Sequence, residues 1–480
     1  MQNIAQTIVQ KILSVPNEKV AYVDHKLQRW SYGQFAEQIY AYTQGIDKLN
    51  LPSDRQIVCI APLGFRLLCL ILACFTRGLT VVFVDPNLGL KNFFKITRSL
   101  QNVSVVHDGM LPFIFILKII FKNLSFYRIK IEKDMFLPVQ NLQINDFAFN
   151  TENPWLMDGF TSGTTGQMKR IQRRHENLIA SSNLFNKNIV HLDPDLHLVG
   201  YTLSVVRNLI DGGTAYEVTH EFKDFVQFFE ESKINRLSGP PSLLYRVIRS
   251  YEEQNKKNES IKNIVIGGAP AQRWLLEKSK KYFPQATLQN IYGCTECEPI
   301  SVTHGEEILN YQGEGYYVGR PVESLQCVFK SVAENLYELI VSGPQVTKAE
   351  GHNTKDLVRK VSEKNDLVLV GRADFLIRND REIFFGQYEI ETFIEGMHPM
   401  IQKAAVLNKE DCLYVYVQLF KSNEKILATG QDTLKMAIVE KLKDHFFSKM
   451  KIEILQTLPY DRRHRWKVQY TELLQRSGSN

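Results

Sequence analysis

Apolar positions in the first 150 residues fall into two patterns. At 31–49 they recur at helical spacing, whereas 21–23, 56–61 (QIVCIA) and 80–84 (TVVFV) are short apolar runs that read as strands. Residues 64–77 read as a helix with a strongly apolar centre, LLCLILACF at 67–75, and Asp85-Pro86-Asn87 ends the unit as a turn. Strand–helix–strand order at this spacing predicts a parallel sheet with right-handed crossovers. The alternation continues with helices at 176–188, 224–231, 242–249 and 271–283. Between them lie strands at 196–201, 213–218, 236–238, 264–268 and 287–292, with an apolar stretch at 203–210.

After about residue 313 the pattern changes to short strands with turns, clearest at 336–341 and 367–370. The GRAD at 371–374 marks a hinge. The remainder reads as β-α-β, with strands at 402–408, 413–419 and 451–455 and an amphipathic helix at 433–447. The predicted class is α/β: a large N-terminal domain of several subdomains, 1–373, with parallel sheets and helices, and a small α+β C-terminal domain, 374–480.

Composition narrows the function classes. A chain of 480 residues accommodates two or three domains. The net charge of +6 is spread out, with short basic clusters at 169–174 and 462–467 and no long basic tail, so nucleic acid is not expected as a partner. Seven cysteines at irregular spacing argue against a disulfide framework. Cys294 and Cys297 form a C-x-x-C with no second pair, which argues against a metal or redox centre. The N-terminus lacks a signal-peptide pattern, so a cytoplasmic location is expected. No apolar run reaches the roughly 18 residues needed to span a bilayer. The run LPFIFILKIIF at 111–121 precedes Lys122, Arg128, Lys130 and Lys133. It reads as a core helix or pocket wall, or as a helix in peripheral contact with an anionic membrane surface.

The chemistry concentrates at 160–170, FTSGTTGQMKR. Gly163 and Gly166 permit tight turns, and successive backbone N–H groups in such a turn form an anion-binding nest. Thr161, Ser162, Thr164 and Thr165 add hydroxyl donors and Lys169 adds a charge, a composition suited to a polyphosphate. The spacing is not that of a P-loop. Four later stretches add to this. IVIGGAP at 264–270 ends a strand in two glycines, so a flat ring can approach the backbone. YGCTE at 292–296 offers an aromatic face, a hydroxyl and a carboxylate, and Glu296 could give Mg²⁺ an oxygen ligand. Asp356 and Arg372 match the vicinal hydroxyls of a ribose. Lys467 lies in the basic stretch LPYDRRHRWK. Each alone has a plainer reading as a surface loop, a turn, a core tyrosine, a surface ion pair or a solvated charge. Their order and spacing together are hard to explain by chance.

In that order the stretches resemble the acyl-adenylate-forming, AMP-binding superfamily over nearly the whole chain. The resemblance implies an enzyme of the acid–thiol ligase type that uses ATP and Mg²⁺. It implies that Thr161, Ser162, Gly163, Thr164, Thr165, Gly166 and Lys169 wrap the phosphates, with Thr165 counted among the catalytic residues. Gly268 and Ala269 would line the adenine, with Tyr292 stacking on it beside Gly293. Thr295 would contact the α-phosphate and Glu296 would bind the metal. Asp356 and Arg372 would hold the ribose, and Asp374 would be the hinge. Lys467 would reach in from a mobile C-terminal domain as a catalytic residue. The implied acceptor is a thiol, CoA or an acyl carrier protein.

A narrower resemblance is to the β-lactone synthetases of bacterial olefin biosynthesis. It rests on CTECEPIS at 294–301, VDPNLGLK at 84–91 and DRRHRWK at 461–467. It implies a fatty or 3-hydroxy fatty acid substrate and capture by the substrate's own hydroxyl. Met168 and Arg170 replace a proline and a glycine of the superfamily pattern, Lys355 stands where a glycine usually precedes the aspartate, and 380–382 lacks another glycine. These departures also admit a non-catalytic nucleotide-binding relative.

Overall fold

The computed structural model describes residues 2–477 apart from 53–54, 62–63, 84–94, 97, 101, 110–117, 119–123, 133–134, 163–167, 200–203, 220–221, 363–364, 421–426, 446 and 462–463. The apolar run at 111–121 and the stretch at 84–91 therefore lie almost wholly outside the described residues. The chain forms two compact units. One comprises Met1–Gly239 and Arg249–Ile264, the other Pro240–Ile248 and Val265–Asn480. The expected boundary at 373/374 falls inside the second unit.

The first unit contains the predicted parallel sheet. Its strands run in the order Ser125–Arg128, Val103–His107, Gln56–Ile60, Thr80–Val82, Trp155–Ser162 and Met168–Arg174. Every neighbouring pair is parallel except the last, an antiparallel hairpin. Helix Phe65–Thr76 buries ten of its twelve side chains, so it is a central element rather than an amphipathic cover. Helices Ile4–Ser14 and Tyr32–Asp47 pack with it in one core. Ser31 and Gln34 close a capping box at the start of the latter helix, which fixes the boundary the sequence pattern predicts. A second group of strands in this unit, Arg236–Gly239, Leu196–Val199, Thr214–Glu217 and Val20–Val23, is also parallel, with Arg29–Ser31 antiparallel at its edge. The apolar stretch at 203–210 is a helix, Ser204–Asp211.

In the second unit, Thr287–Cys294 and Cys297–His304 form an antiparallel hairpin. The strand-rich region after residue 313 is a five-stranded antiparallel sheet. Its order is Tyr316–Gly319, Leu367–Arg372, His352–Lys360, Leu336–Ser342, Gln326–Ala333. The C-terminal strands Ile401–Lys409 and Cys412–Leu419 pair antiparallel, and Met450–Leu455 pairs parallel to the latter. Helix Leu427–Asp444 supplies the crossover that a parallel connection needs, as the β-α-β reading requires. Among the described residues no helix is long and apolar enough to cross a membrane.

A buried acid in this C-terminal part makes stability pH-dependent. The Glu391 carboxylate accepts from Val406 N at 3.0 Å and from the Tyr470 hydroxyl at 2.7 Å. Burial outweighs both hydrogen bonds and pushes its pKa up from 4.5 to about 8. The folded chain therefore keeps a proton that the unfolded chain releases between those values. Its contribution is fully present below about pH 4.5 and is lost as pH rises through about 8. Thermal melts between pH 5 and 8 should show the midpoint falling, and Glu391→Gln should flatten that fall while preserving the acceptor oxygen. Equal slopes in the two proteins would refute the assignment.

Candidate functional site

In the second unit three of the expected residues meet in one buried cluster. Asp356 and Arg372 are direct cross-strand partners, and Tyr292 comes from the hairpin strand Thr287–Cys294. The Tyr292 hydroxyl donates to Asp356 Oδ2 at 2.7 Å, and Arg372 Nη1 donates to Asp356 Oδ1. Arg372 Nη1 also donates to the Thr354 carbonyl at 2.9 Å, and its backbone N–H donates to Gln387 Oε1 at 2.8 Å. Asp356 N donates to Thr354 Oγ1 at 3.0 Å. Burial works against the Arg372 charge, but Asp356 outweighs it and the guanidinium is held above its usual range. Burial, then Asp356, pushes the Tyr292 phenol well up, so it stays a neutral donor. The cluster offers a fixed carboxylate and guanidinium side by side, the pairing a vicinal diol requires. Tyr292 is itself 7% exposed and belongs to a core cluster.

Lys355, the residue before this aspartate, has φ 61°. The backbone keeps the left-handed conformation that a glycine adopts freely, at a cost of roughly 1 kcal/mol for a side chain. Lys355 Nζ is 2.9 Å from Glu338 Oε1, and Lys330 Nζ is 3.1 Å from Oε2. Burial raises the Glu338 carboxyl, but hydrogen bonds from both lysines outweigh this and pull it down to about 2. Glu382 likewise has φ 62°, at the second departure from the superfamily pattern. Its turn is held by Asn379 Oδ1, which accepts from Arg381 N at 3.0 Å and Ile383 N at 2.9 Å.

The glycine turn after strand Asn263–Gly267 is covered by the C-terminal basic stretch. Gly268 has φ 80°, and a Cβ there would lie 3.1 Å from His464 Cδ2 and 3.2 Å from Nε2. Trp466 Nε1 donates to the Pro270 carbonyl at 3.1 Å and to Gln272 Oε1 at 2.9 Å. Ser242 Oγ donates to the His464 carbonyl at 2.6 Å, and Lys403 Nζ donates to the Trp466 carbonyl at 2.7 Å. Asp461 ties the loop closed. Its Oδ2 accepts from His464 N at 2.8 Å and pairs with His464 Nδ1 at 2.9 Å, and its Oδ1 accepts from Lys467 N at 3.1 Å. Asp461 N returns a bond to the Lys467 carbonyl at 2.9 Å. Burial raises the Asp461 carboxyl, but the hydrogen bonds from His464 outweigh it and draw it down to about 2. Lys467 is exposed on the same loop as the histidine that touches Gly268, and Ala269 is half-buried beside it. Asp374 is exposed, in the 3-10 turn Ala373–Phe375 that follows strand Leu367–Arg372.

Thr295 and Glu296 form the tip of the hairpin between Thr287–Cys294 and Cys297–His304. Gly293 is required there, because a Cβ would lie 2.9 Å from the Cys297 carbonyl oxygen. The Glu296 carbonyl accepts from Thr347 N at 2.9 Å. Its carboxylate Oε1 lies 3.8 Å from His352 Nε2. One buried carboxylate fits Mg²⁺ bound chiefly through phosphate oxygens and water. Burial, then Glu296, pushes the neighbouring Cys294 thiol up to about 12.

Of the expected phosphate loop, Thr161, Ser162 and Lys169 lie on the antiparallel strands Trp155–Ser162 and Met168–Arg174 of the first unit. Thr161 pairs with Lys169 and Ser162 with Met168. Gly163, Thr164, Thr165 and Gly166 lie outside the described residues, and Lys169 is exposed. Arg170, which replaces the pattern's last glycine, donates from Nη2 to Asp158 Oδ2 at 2.8 Å, and Asp158 is fully buried. Sequence reasoning missed this brace, together with His352, Lys403 and Trp466. Asp461 and His464 stood in the DRRHRWK stretch at 461–467 without a role of their own.

Comparisons with known proteins identify the family and the fold. The AMP-binding enzyme family matches residues 10–349. The chain is 28% identical over 248 residues to 4-coumarate–CoA ligase-like 9 of Arabidopsis thaliana, a match covering 46% of this chain and 43% of that protein. It is 23% identical over 399 residues to D-alanine–D-alanyl carrier protein ligase of Streptococcus pneumoniae, covering 76% and 75%. Among solved structures, the amide bond synthetase McbA from Marinactinospora thermotolerans superposes with a TM-score of 0.79 at 16% identity, over 98% of this chain and 99% of that one. The o-succinylbenzoate CoA synthetase of Bacillus subtilis, with its acyl-adenylate intermediate, gives 0.76 at 18%, over 97% of each chain. The structural likenesses establish the fold, and the family match covers well over half of the sequence. The chain therefore belongs to the AMP-binding enzyme family, within the acyl-adenylate-forming superfamily.

Proposed function

We propose that the enzyme activates an apolar carboxylic acid, a fatty or 3-hydroxy fatty acid, as its acyl-adenylate and then passes the acyl group to a thiol such as CoA or an acyl carrier protein. The observation that carries this reading is the Tyr292–Asp356–Arg372 cluster, whose carboxylate and guanidinium suit a ribose diol, in the same unit as Glu296 and the Lys467 loop. In the first half-reaction a carboxylate oxygen attacks the ATP α-phosphorus in line, and the bond to pyrophosphate breaks. Residues Thr161, Ser162, Gly163, Thr164, Thr165, Gly166 and Lys169 take the phosphates. Thr295 contacts the α-phosphate, and Gly268, Ala269, Tyr292 and Gly293 border the base. Mg²⁺ held by Glu296 would neutralise charge on the leaving pyrophosphate. Lys467 stabilises the charge that builds at the α-phosphate.

The Asp461–His464 pair favours a second reading. A carboxylate on Nδ1 fixes the imidazole against the Gly268 turn, an arrangement suited to accepting a proton from a nucleophile. If that nucleophile is the substrate's own 3-hydroxyl, its oxygen attacks the acyl carbon, AMP leaves, and a β-lactone forms.

ATP–pyrophosphate exchange with plain and 3-hydroxy fatty acids tests the first half-reaction, and exchange is expected with at least one of them. Mass spectrometry of the products with and without CoA separates the outcomes. A CoA-dependent thioester supports the ligase, and a CoA-independent product lighter by one water supports the lactone. Absence of exchange across the panel would overturn both.

A further inference from the structure

We propose that Cys294, Glu296 and His352 form a binding site for a borderline divalent cation, of which Zn²⁺ is the best match. The three residues each offer one donor atom, sulfur, carboxylate oxygen and imidazole nitrogen, and these atoms lie within 4.8 Å of one another. A tetrahedral zinc shell with ligand bonds of about 2.0–2.3 Å places its donors roughly 3.3–3.8 Å apart. The His352–Glu296 distance of 3.8 Å lies a few tenths of an ångström beyond the roughly 3.4 Å that a nitrogen–oxygen pair on zinc takes. The widest separation, no more than 4.8 Å, has to shorten by about 1 Å for all three atoms to share one ion. The donor set discriminates between metals: thiolate and imidazole suit zinc and are poor ligands for Mg²⁺, which wants oxygen.

The donors sit on a rigid frame. Cys294 ends one hairpin strand and faces Cys297 across it, while Glu296 occupies the tip. Thr347 N, bonded to the Glu296 carbonyl, and the bridge between Cys297 and Val346 tie that tip to the segment leading to His352. His352 starts strand His352–Lys360 and pairs with Val341. Glu296 and His352 are buried and Cys294 is half-buried, so the donors are largely shielded from bulk water. The C-x-x-C spacing is incidental, because Cys297 is not among the donors. A cation here engages Glu296, so Zn²⁺ should oppose Mg²⁺-dependent adenylation; this consequence rests on the proposed function, whereas the site does not.

The test titrates Co²⁺ into the reduced full-length enzyme without nucleotide. One equivalent should bind, with a thiolate-to-cobalt charge-transfer band in the near ultraviolet that Zn²⁺ abolishes. Cys294→Ser should remove the band. His352→Gln should weaken Co²⁺ binding by at least about tenfold, since even outer-shell changes cost about 10–100-fold. The Cys59→Ser/Cys74→Ser double variant removes a second close pair of thiols, 3.7 Å apart, and should leave the band intact. Loss of the band in that double variant, its survival in Cys294→Ser, or no band at millimolar Co²⁺ would overturn the site. If Cys294→Ser fails to fold, His352→Gln decides the matter. A cobalt band in an enzyme with no exchange activity would discredit the adenylation reading and leave the site standing.

Discussion

Asp356→Ala should cost the enzyme both its nucleotide and a large part of its stability. The carboxylate is the common acceptor for Tyr292 and Arg372, and its side chain is 9% exposed. Removing it leaves a mostly buried guanidinium with the Thr354 carbonyl as its remaining partner at that nitrogen, and takes from Tyr292 its hydrogen-bond acceptor. Breaking a buried ion pair from one side costs about 3–5 kcal/mol. Arg372 retains 27% exposure, so about 3 kcal/mol is the better expectation. Asp356→Asn separates the two effects. Its amide oxygen can still accept one bond, so part of the stability should return, while the carboxylate charge does not. Thermal melts with and without AMP measure both quantities. The alanine variant should melt lowest and show no AMP-induced shift, and the asparagine variant should melt between it and wild type with a much reduced shift. An undiminished shift in Asp356→Asn would take the carboxylate charge out of ribose binding.

The same cluster shows how far the sequence was readable. Apolar runs at 56–61 and 80–84 predicted neighbouring parallel strands, and Gln56–Ile60 pairs parallel to Thr80–Val82. Those strands are short and apolar, so their composition alone distinguishes them from loops. The five-stranded antiparallel sheet was less legible. Gln326–Ala333 has several exposed positions, and its register is set by its pairing with Leu336–Ser342 rather than by an apolar face. Asp356 and Arg372 could be named from their motifs, but their cross-strand pairing could not, because it depends on a register shift between Leu357 and Val358. Lys355 illustrates a different limit. The sequence shows a lysine in place of a glycine, while the structure shows that the left-handed backbone survives and that Glu338, from a neighbouring strand, holds the lysine. Long-range partners such as Lys403 for Trp466, 63 residues apart, leave no local signature at all.

Lys467→Ala should lower ATP–pyrophosphate exchange by about 10²–10³-fold, the usual cost of losing one group that stabilises developing charge. Lys467 is exposed, and its backbone closes the 461–467 loop. Truncating its side chain therefore leaves the loop's framework intact, and the melting temperature should stay within a degree or two of wild type. That contrast separates a chemical role from a structural one. Trp466→Ala acts the other way. It removes the indole that docks on Pro270 and Gln272, so stability and exchange should fall together. His464→Ala leaves that indole in place but deprives Asp461 of its ring partner. If His464 only positions the loop, exchange should fall modestly with all substrates alike. If it takes the proton from an attacking hydroxyl, exchange should persist while lactone formation fails. Lys467→Ala with unchanged exchange would exclude the lysine from the adenylation step, and the loop would then serve to cover the Gly268 turn rather than to act on the α-phosphate.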